Sequence, residues 1–141
     1  MSGILKSVCI KRKTDEKMVN IHQAELIKNG IPNDVHCDGS DKQISILPME
    51  VINEHLKDSN IDYQYGNYGK NFVIEGLNYK NLKVGDSLSI GDVRLKITEI
   101  GAPNKDGQSN ECKNNNIHKN FIFARVTAEG ILTEDDPVYI D

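Results

Sequence analysis

The sequence predicts a mainly β domain, a barrel of about six to eight short strands with one or two short helices. The strongest observation is the alternation of apolar and polar residues over 87–97, which breaks at Gly91-Asp92 as in a hairpin with one apolar face. Residues 42–47 and 117–126 alternate in the same way and predict two further strands. A closed or nearly closed sheet buries such apolar faces, which favours the barrel.

Shorter signals account for the rest of the chain. Residues 3–13 alternate and predict a first strand, whereas residues 17–29 fit either a short helix or a strand followed by a bend. The segment 48–57 starts with proline, which the first helical turn tolerates, and continues with apolar residues at helical spacing, so it predicts a helix. The chain closes with residues 130–132, an acidic turn over 133–137 and a last short strand at 138–140.

Length, composition and charge exclude several classes of protein. The 141 residues fit one domain, 1–141, and the hydrophobic fraction of 38% predicts a lean but folded core. A net charge of −4 argues against nucleic acid as a partner, because phosphate binding needs clustered Lys and Arg. No apolar run approaches the ~20 residues of a membrane helix, so no membrane association is expected. The three cysteines cannot all pair and no signal peptide precedes them, which predicts a cytoplasmic location.

Five segments resemble, in their order, those of a known family. They are an Asp-x-His turn, QISIL followed by a helix, GKNFVIEGL, LKVGDSLSIGDVRLKITEIG and FIFARV, and they span about Gly30 to Ile140. Each is weak alone, but their order and spacing resemble the MOSC domain, the module at the C-terminus of molybdenum cofactor sulfurases. The resemblance implies a MOSC-like barrel in which a late cysteine carries sulfur as a persulfide or ligates the molybdenum of the cofactor. Some members of the family reduce N-hydroxylated substrates.

The resemblance extends to individual residues of a site. Asp34 and His36 match the Gly-Asp-x-His-x-Gly turn of the family, with Asn33 in place of its first glycine. Asn71 matches the Asn of the Gly-Glu-Asn segment, in which Lys70 replaces Glu. That replacement reverses the sign of one charge in the expected pocket.

Cys112 is the candidate catalytic residue and metal ligand, because the family places its reactive cysteine after the hairpin. It lies in residues 101–116, a polar segment without Leu, Ile, Val or aromatic residues, which predicts either a functional lid or disorder. Sulfur transfer or metal ligation requires a thiolate, for which Lys105, Lys113 and Arg125 are candidate cations. An ordinary exposed cysteine remains the alternative.

Four side chains are candidates for holding the anionic part of a molybdenum cofactor: Lys70, Asn71, Lys119 and Arg125. Arg125 is the best of them because it lies within a predicted strand, whereas solvent exposure is the alternative for the lysines.

The His36-Cys37 pair is a weaker candidate for metal binding or proton transfer, since adjacent residues in an extended segment point to opposite sides. A hydrogen-bonded loop histidine is the simpler interpretation of His36. A zinc site that also included Cys112 and His118 would lack the paired close spacings typical of such sites.

Two classes of function follow from the sequence. The first is a MOSC-type module that carries sulfur or binds molybdenum cofactor through Cys112, with Asp34 and His36 joining the four candidates at the cofactor. The second is a MOSC barrel that serves as a non-catalytic small-ligand or protein-binding module. The sequence has no identifiable pyridoxal phosphate motif, so the sulfur would have to come from a partner protein, a cysteine desulfurase. A molybdoenzyme is the other candidate partner.

Overall fold

The structure, a computed structural model, describes residues 3–57, 68–101 and 116–141. The strands of this part are β1 (Gly3–Ile10), β2 (Val19–Asn20), β3 (Gln23–Leu26), β4 (Ile44–Pro48), β5 (Phe72–Glu75), β6 (Ser87–Ile90), β7 (Val93–Ile100), β8 (Ile122–Ala128), β9 (Gly130–Thr133) and β10 (Pro137–Ile140). Its helices are the α-helix α1 (Met49–Leu56) and the 3-10 helices η1 (Tyr79–Asn81) and η2 (Asn116–Asn120).

Seven of these strands form a closed barrel in the order β10-β6-β7-β8-β4-β5-β1, and pairing of β1 with β10 closes it. Strand β2 extends the sheet beside β1, and β3 and β9 form a separate two-stranded sheet. Strands β4 and β5 pair in parallel, so the chain must cross over between them, and α1 lies in that connection. The predicted mainly β barrel of six to eight strands with one or two short helices is confirmed.

The hairpin that carried the prediction is β6 and β7. Ile90 pairs with Val93 across a two-residue turn, as the Gly91-Asp92 break predicts. Gly91 has φ +57, in the left-handed region that favours glycine. A Cβ atom there would also lie 2.6 Å from the carbonyl oxygen of Ile131, so the turn packs too closely on β9 for any larger residue.

The prediction of a strand over 117–126 is wrong at its start. Residues Asn116–Asn120 form η2 and the strand begins at Ile122, because Ile117 and Phe121 both pack against the side of the barrel that α1 covers. A strand would also lack a partner here, because the last residue of β8 that pairs with β4 is Ile122, opposite Ile46.

The remaining boundaries differ in smaller ways. The first strand ends at Ile10 instead of residue 13, and the ambiguous segment 17–29 forms the strands β2 and β3. Most of the segment 101–116, predicted to be a lid or disordered, lies outside the described residues.

Two hydrophobic clusters lie on opposite faces of the sheet. The larger fills the barrel, and the smaller packs α1 and η2 on the outer face of β4 and β5. Successive strand residues point to opposite faces, so Phe72 and Ile74 enter the interior while Val73 joins the outer cluster. The outer cluster contains Leu47, Val51, Ile52, Tyr68, Val73, Ile117 and Phe121. The candidate site borders it.

Candidate functional site

Asn71 is the hub of a buried hydrogen-bond network where β5 begins. Its Nδ2 donates to the carbonyl oxygen of Cys9 at 3.0 Å and to Oδ1 of Asp34 at 3.3 Å. Its Oδ1 accepts from the backbone N–H of Ser45 at 2.9 Å and from the Ser45 hydroxyl at 3.0 Å. Both amide hydrogens therefore bind within the protein.

Asp34 is a buried carboxylate that holds the loop before β4 against the end of β1. Besides the hydrogen bond from Asn71, the carboxylate accepts hydrogen bonds from the backbone N–H of Lys11 at 2.9 Å and from that of His36 at 3.1 Å. Asn33, which stands where the family has glycine, has φ +72. Asparagine tolerates this region better than most residues, so the turn is retained despite the substitution.

His36 and Cys37 follow Asp34 but differ in exposure. The His36 side chain is 60% exposed, with Nδ1 3.9 Å from Oδ2 of Asp34, whereas Cys37 is half-buried. Within residues 3–57, 68–101 and 116–141, no group of three or more His, Cys, Asp and Glu side chains is arranged to hold a metal ion.

Lys70 contacts the aromatic ring of Phe121 at the edge of the outer cluster. Its Nζ lies 3.9 Å from the ring centroid, a cation–π contact that holds a positive charge beside a half-buried surface. Lys119, at the end of η2, is exposed. Lys70 therefore lies over the Phe121 ring, and Lys119 lies two residues before Phe121 in the chain.

Arg125 lies on the outer face of β8, where the strand alternation places it with Phe123. Its Nη1 is 3.7 Å from Oδ1 of Asp41, and its side chain is 52% exposed. Phe123 is the strand partner of Ser45, and the Ser45 hydroxyl bonds to Asn71, so this face of β8 adjoins the Asn71 network. Arg125 belongs to the same side of the barrel as Lys70 but contacts a different loop.

Cys112 lies outside the described residues, but both ends of its segment are described. The N–H of Gly101 donates to the carbonyl oxygen of Phe121 at 2.7 Å, and η2 leads directly into Phe121. The segment therefore leaves the described structure beside Phe121, which Lys70 covers, and returns at the start of η2.

A profile of the family described as MOSC domain matches residues 33–139, most of the chain. The chain belongs to the MOSC domain family. The match includes the Asp34 turn, the Lys70-Asn71 segment and β8, so the site described above lies within the MOSC domain.

Solved structures share the fold of this MOSC domain. YuaD from Bacillus subtilis superposes with a TM-score of 0.79 at 16% identity, over 99% of this chain and 96% of that one. YiiM from Escherichia coli superposes with a TM-score of 0.70 at 17% identity, over 98% of this chain and 69% of that one. YiiM from Geobacillus stearothermophilus superposes with a TM-score of 0.65 at 20% identity, over 99% of this chain and 73% of that one. Identities this low establish a common fold and no more.

No curated protein sequence matches the MOSC domain described here. Among its described residues, no helix has the length and apolar composition that crossing a membrane requires.

Ser45 is a polar residue of this region that the sequence did not single out. The Ser45 hydroxyl both donates to Oδ1 of Asn71 and accepts the Asn71 N–H at 3.0 Å. Its only signal in the sequence is a small polar residue on the outward face of a strand, which is common at solvated positions. Pairing with Asn71, 26 residues away, is a product of the fold.

The two described cysteines should be poor nucleophiles in the folded MOSC domain. Burial raises the pKa of the Cys9 thiol to about 11, and burial together with the charges of Asp34 and Asp38 raises the pKa of Cys37. Because the thiolate is the reactive form, a raised pKa lowers the alkylation rate at neutral pH.

Iodoacetamide labelling between pH 7 and 10, read by peptide mass spectrometry, tests this expectation. Cys9 should stay unmodified until the protein is denatured, and Cys37 should label more slowly than a free cysteine peptide, with a pH midpoint above that of the peptide. Labelling of Cys37 at the peptide rate at pH 7.5 would contradict the prediction. Denatured protein, in which both thiols become accessible, is the control.

Proposed function

We propose that this MOSC domain presents Cys112 for sulfur transfer or for binding of molybdenum cofactor, with Lys70 and Lys119 receiving the anionic part of the ligand. One observation carries the proposal. Gly101, at one end of the segment that contains Cys112, bonds to Phe121, and η2 leads from the other end to Phe121, whose ring lies under the Lys70 ammonium.

Chain connectivity limits how far Cys112 can lie from η2. Cys112 is four residues before Asn116, the start of η2. Because an extended chain spans at most about 3.6 Å per residue, the two Cα atoms are no more than about 14 Å apart. A nearby ammonium stabilises a thiolate, which is the form needed both for carrying sulfur and for binding a metal.

The described residues fit the anionic groups of a molybdenum cofactor. Lys70 and Lys119 provide point charges near Phe121, and Arg125 adds a planar guanidinium on the same side of the barrel. Asp34 and Asn71 would support this site by holding the loop and strand ends in place. The cofactor, when bound, supplies the redox chemistry, and molybdenum ligation by this chain would rest on Cys112.

Replacement of Cys112 tests the proposal directly. The protein is expressed with molybdate and with a cysteine desulfurase as sulfur donor, and intact mass and elemental analysis then report added sulfur and bound molybdenum. Wild type should retain one or the other, and Cys112→Ser should lose at least about 90% of it, since serine provides no thiolate. A molybdoenzyme is the candidate acceptor in both cases.

Cys37→Ser is the matched control, because it makes the same change at a half-buried thiol of raised pKa and should leave retention unchanged. Equal retention in Cys112→Ser and wild type would overturn the proposal.

A second candidate function is a non-catalytic ligand-binding or protein-binding barrel. It is favoured by the Asn71 amide and the Asp34 carboxylate, whose hydrogen bonds are made within the protein. In that case Cys112 should alkylate at the rate of a free cysteine peptide, and the purified protein should contain neither molybdenum nor added sulfur.

A further inference from the structure

His118 has a buried nitrogen atom without a hydrogen-bond partner. The residue lies in η2 and is half-buried, and its Nδ1 is inaccessible to solvent and unpaired in the described part of the structure. A buried polar atom without a partner lowers stability, so native proteins contain few of them, and those that persist call for an explanation such as a ligand or a catalytic role. The position of His118 indicates which explanation applies.

Phe121 connects His118 to the cationic side of the site. The carbonyl oxygen of His118 accepts the Phe121 N–H at 3.3 Å, and the ring of Phe121 lies 3.9 Å from Nζ of Lys70. Lys119 follows His118 directly in η2. His118, which carries the unpaired nitrogen, is thus joined through Phe121 to Lys70 and precedes Lys119 in the chain.

We propose that His118 is a ligand-binding residue, and that its Nδ1–H donates a hydrogen bond to a tetrahedral oxyanion whose charge Lys70 balances. The inference rests on the anion site of the proposed function and adds to it a residue that the family resemblance does not assign. It also defines the ligand class, since a phosphate or molybdate group offers several acceptor oxygens at once. A neutral ring would have to stack on Phe121, whose face Lys70 covers.

Isothermal titration of the purified protein with molybdate, and separately with inorganic phosphate, tests the proposal. His118→Asn keeps a polar atom near the position of Nδ1, and His118→Leu removes it at similar size. Binding should stay within about threefold of wild type in His118→Asn and weaken about tenfold or more in His118→Leu, the loss expected for one charge-assisted hydrogen bond. The two titrations show whether the site prefers the phosphate group or the metal oxyanion.

Thermal unfolding of the same variants without ligand provides a readout that a structural histidine would not give. Because His118→Leu removes an unpaired buried atom, its Tm should rise by about 3–5 °C while oxyanion binding falls. His22→Leu is the control, since His22 is an exposed histidine that pairs with Glu134 and should leave binding unchanged.

The outcomes separate this inference from the proposed function. If wild type binds neither oxyanion, the anion site itself is wrong and both proposals fail. If wild type binds and His118→Leu binds equally well, or if His118→Leu lowers Tm, the role of His118 is overturned while the anion site and the role of Cys112 stand.

Discussion

Asn71→Asp should lower the free energy of unfolding by about 3–5 kcal/mol. The substitution keeps the size of the side chain but replaces the amide donor with an oxygen. That oxygen would face the Asp34 carboxylate, which lies 3.3 Å from Nδ2, and the carbonyl oxygen of Cys9, which lies 3.0 Å away. Two hydrogen bonds are lost and a buried negative charge is placed beside another, which is the costliest change that this network allows.

Urea unfolding followed by circular dichroism measures this effect, since the chain contains no Trp for fluorescence. Asn78→Asp is the matched control, because Asn78 is exposed and its side chain makes no capping hydrogen bond to η1. The control should change stability by less than about 0.5 kcal/mol. A loss below about 1 kcal/mol in Asn71→Asp would show that the network is not the structural hub of the site.

Phe72→Ala should lower the free energy of unfolding by about 3–5 kcal/mol. Phe72 is fully buried, and its ring lies in the barrel interior between β1 and β4, with which β5 pairs on either side. Truncation removes the ring from the core and leaves a cavity that the closed sheet cannot collapse to fill.

The same truncation at Phe123 provides the comparison. Phe123 is half-buried on the outer face of β8, with Nζ of Lys42 5.0 Å from its ring centroid. Truncation of Phe123 to alanine should lower the free energy of unfolding by about 1–2 kcal/mol. The half-buried ring removes less apolar area from water than a fully buried one, and solvent can fill the space that it leaves. Both variants are measured by the same urea unfolding experiment, and equal losses would contradict the placement of Phe72 in the core.

Fold class and several elements of this MOSC domain were predictable because local patterns determine them. The β6–β7 hairpin follows from strict alternation around a two-residue turn, and α1 follows from proline before apolar residues at helical spacing. Both signals depend on neighbours a few residues apart. Elements that depend on distant partners were harder to predict.

The segment 17–29 and η2 illustrate this limit. β3 pairs with β9 more than 100 residues later, and without that partner its pattern fits a helix as well as a strand. η2 occupies residues that alternate like a strand, but Ile117 and Phe121 pack in the outer cluster with α1, beyond the last partner that β4 provides. Tertiary contacts override local propensity at both positions.

Part of the candidate site was predictable in the same sense. The resemblance to the MOSC domain assigned Asp34, Asn71 and Lys70 from their order in the sequence. It did not indicate that the first two bind each other, that Lys70 covers Phe121, or that a buried nitrogen of His118 lacks a partner.

Local patterns are sufficient for the mainly β class, the hairpin and the residue types near the site, including a lysine at position 70 where the family has glutamate. The pairing of polar atoms depends on the tertiary structure. Asn71 and Asp34 are 37 residues apart and meet where the start of β5 pairs beside the end of β1. Such pairing joins distant segments, which no local pattern contains, and so the chemistry available at the site follows from the fold.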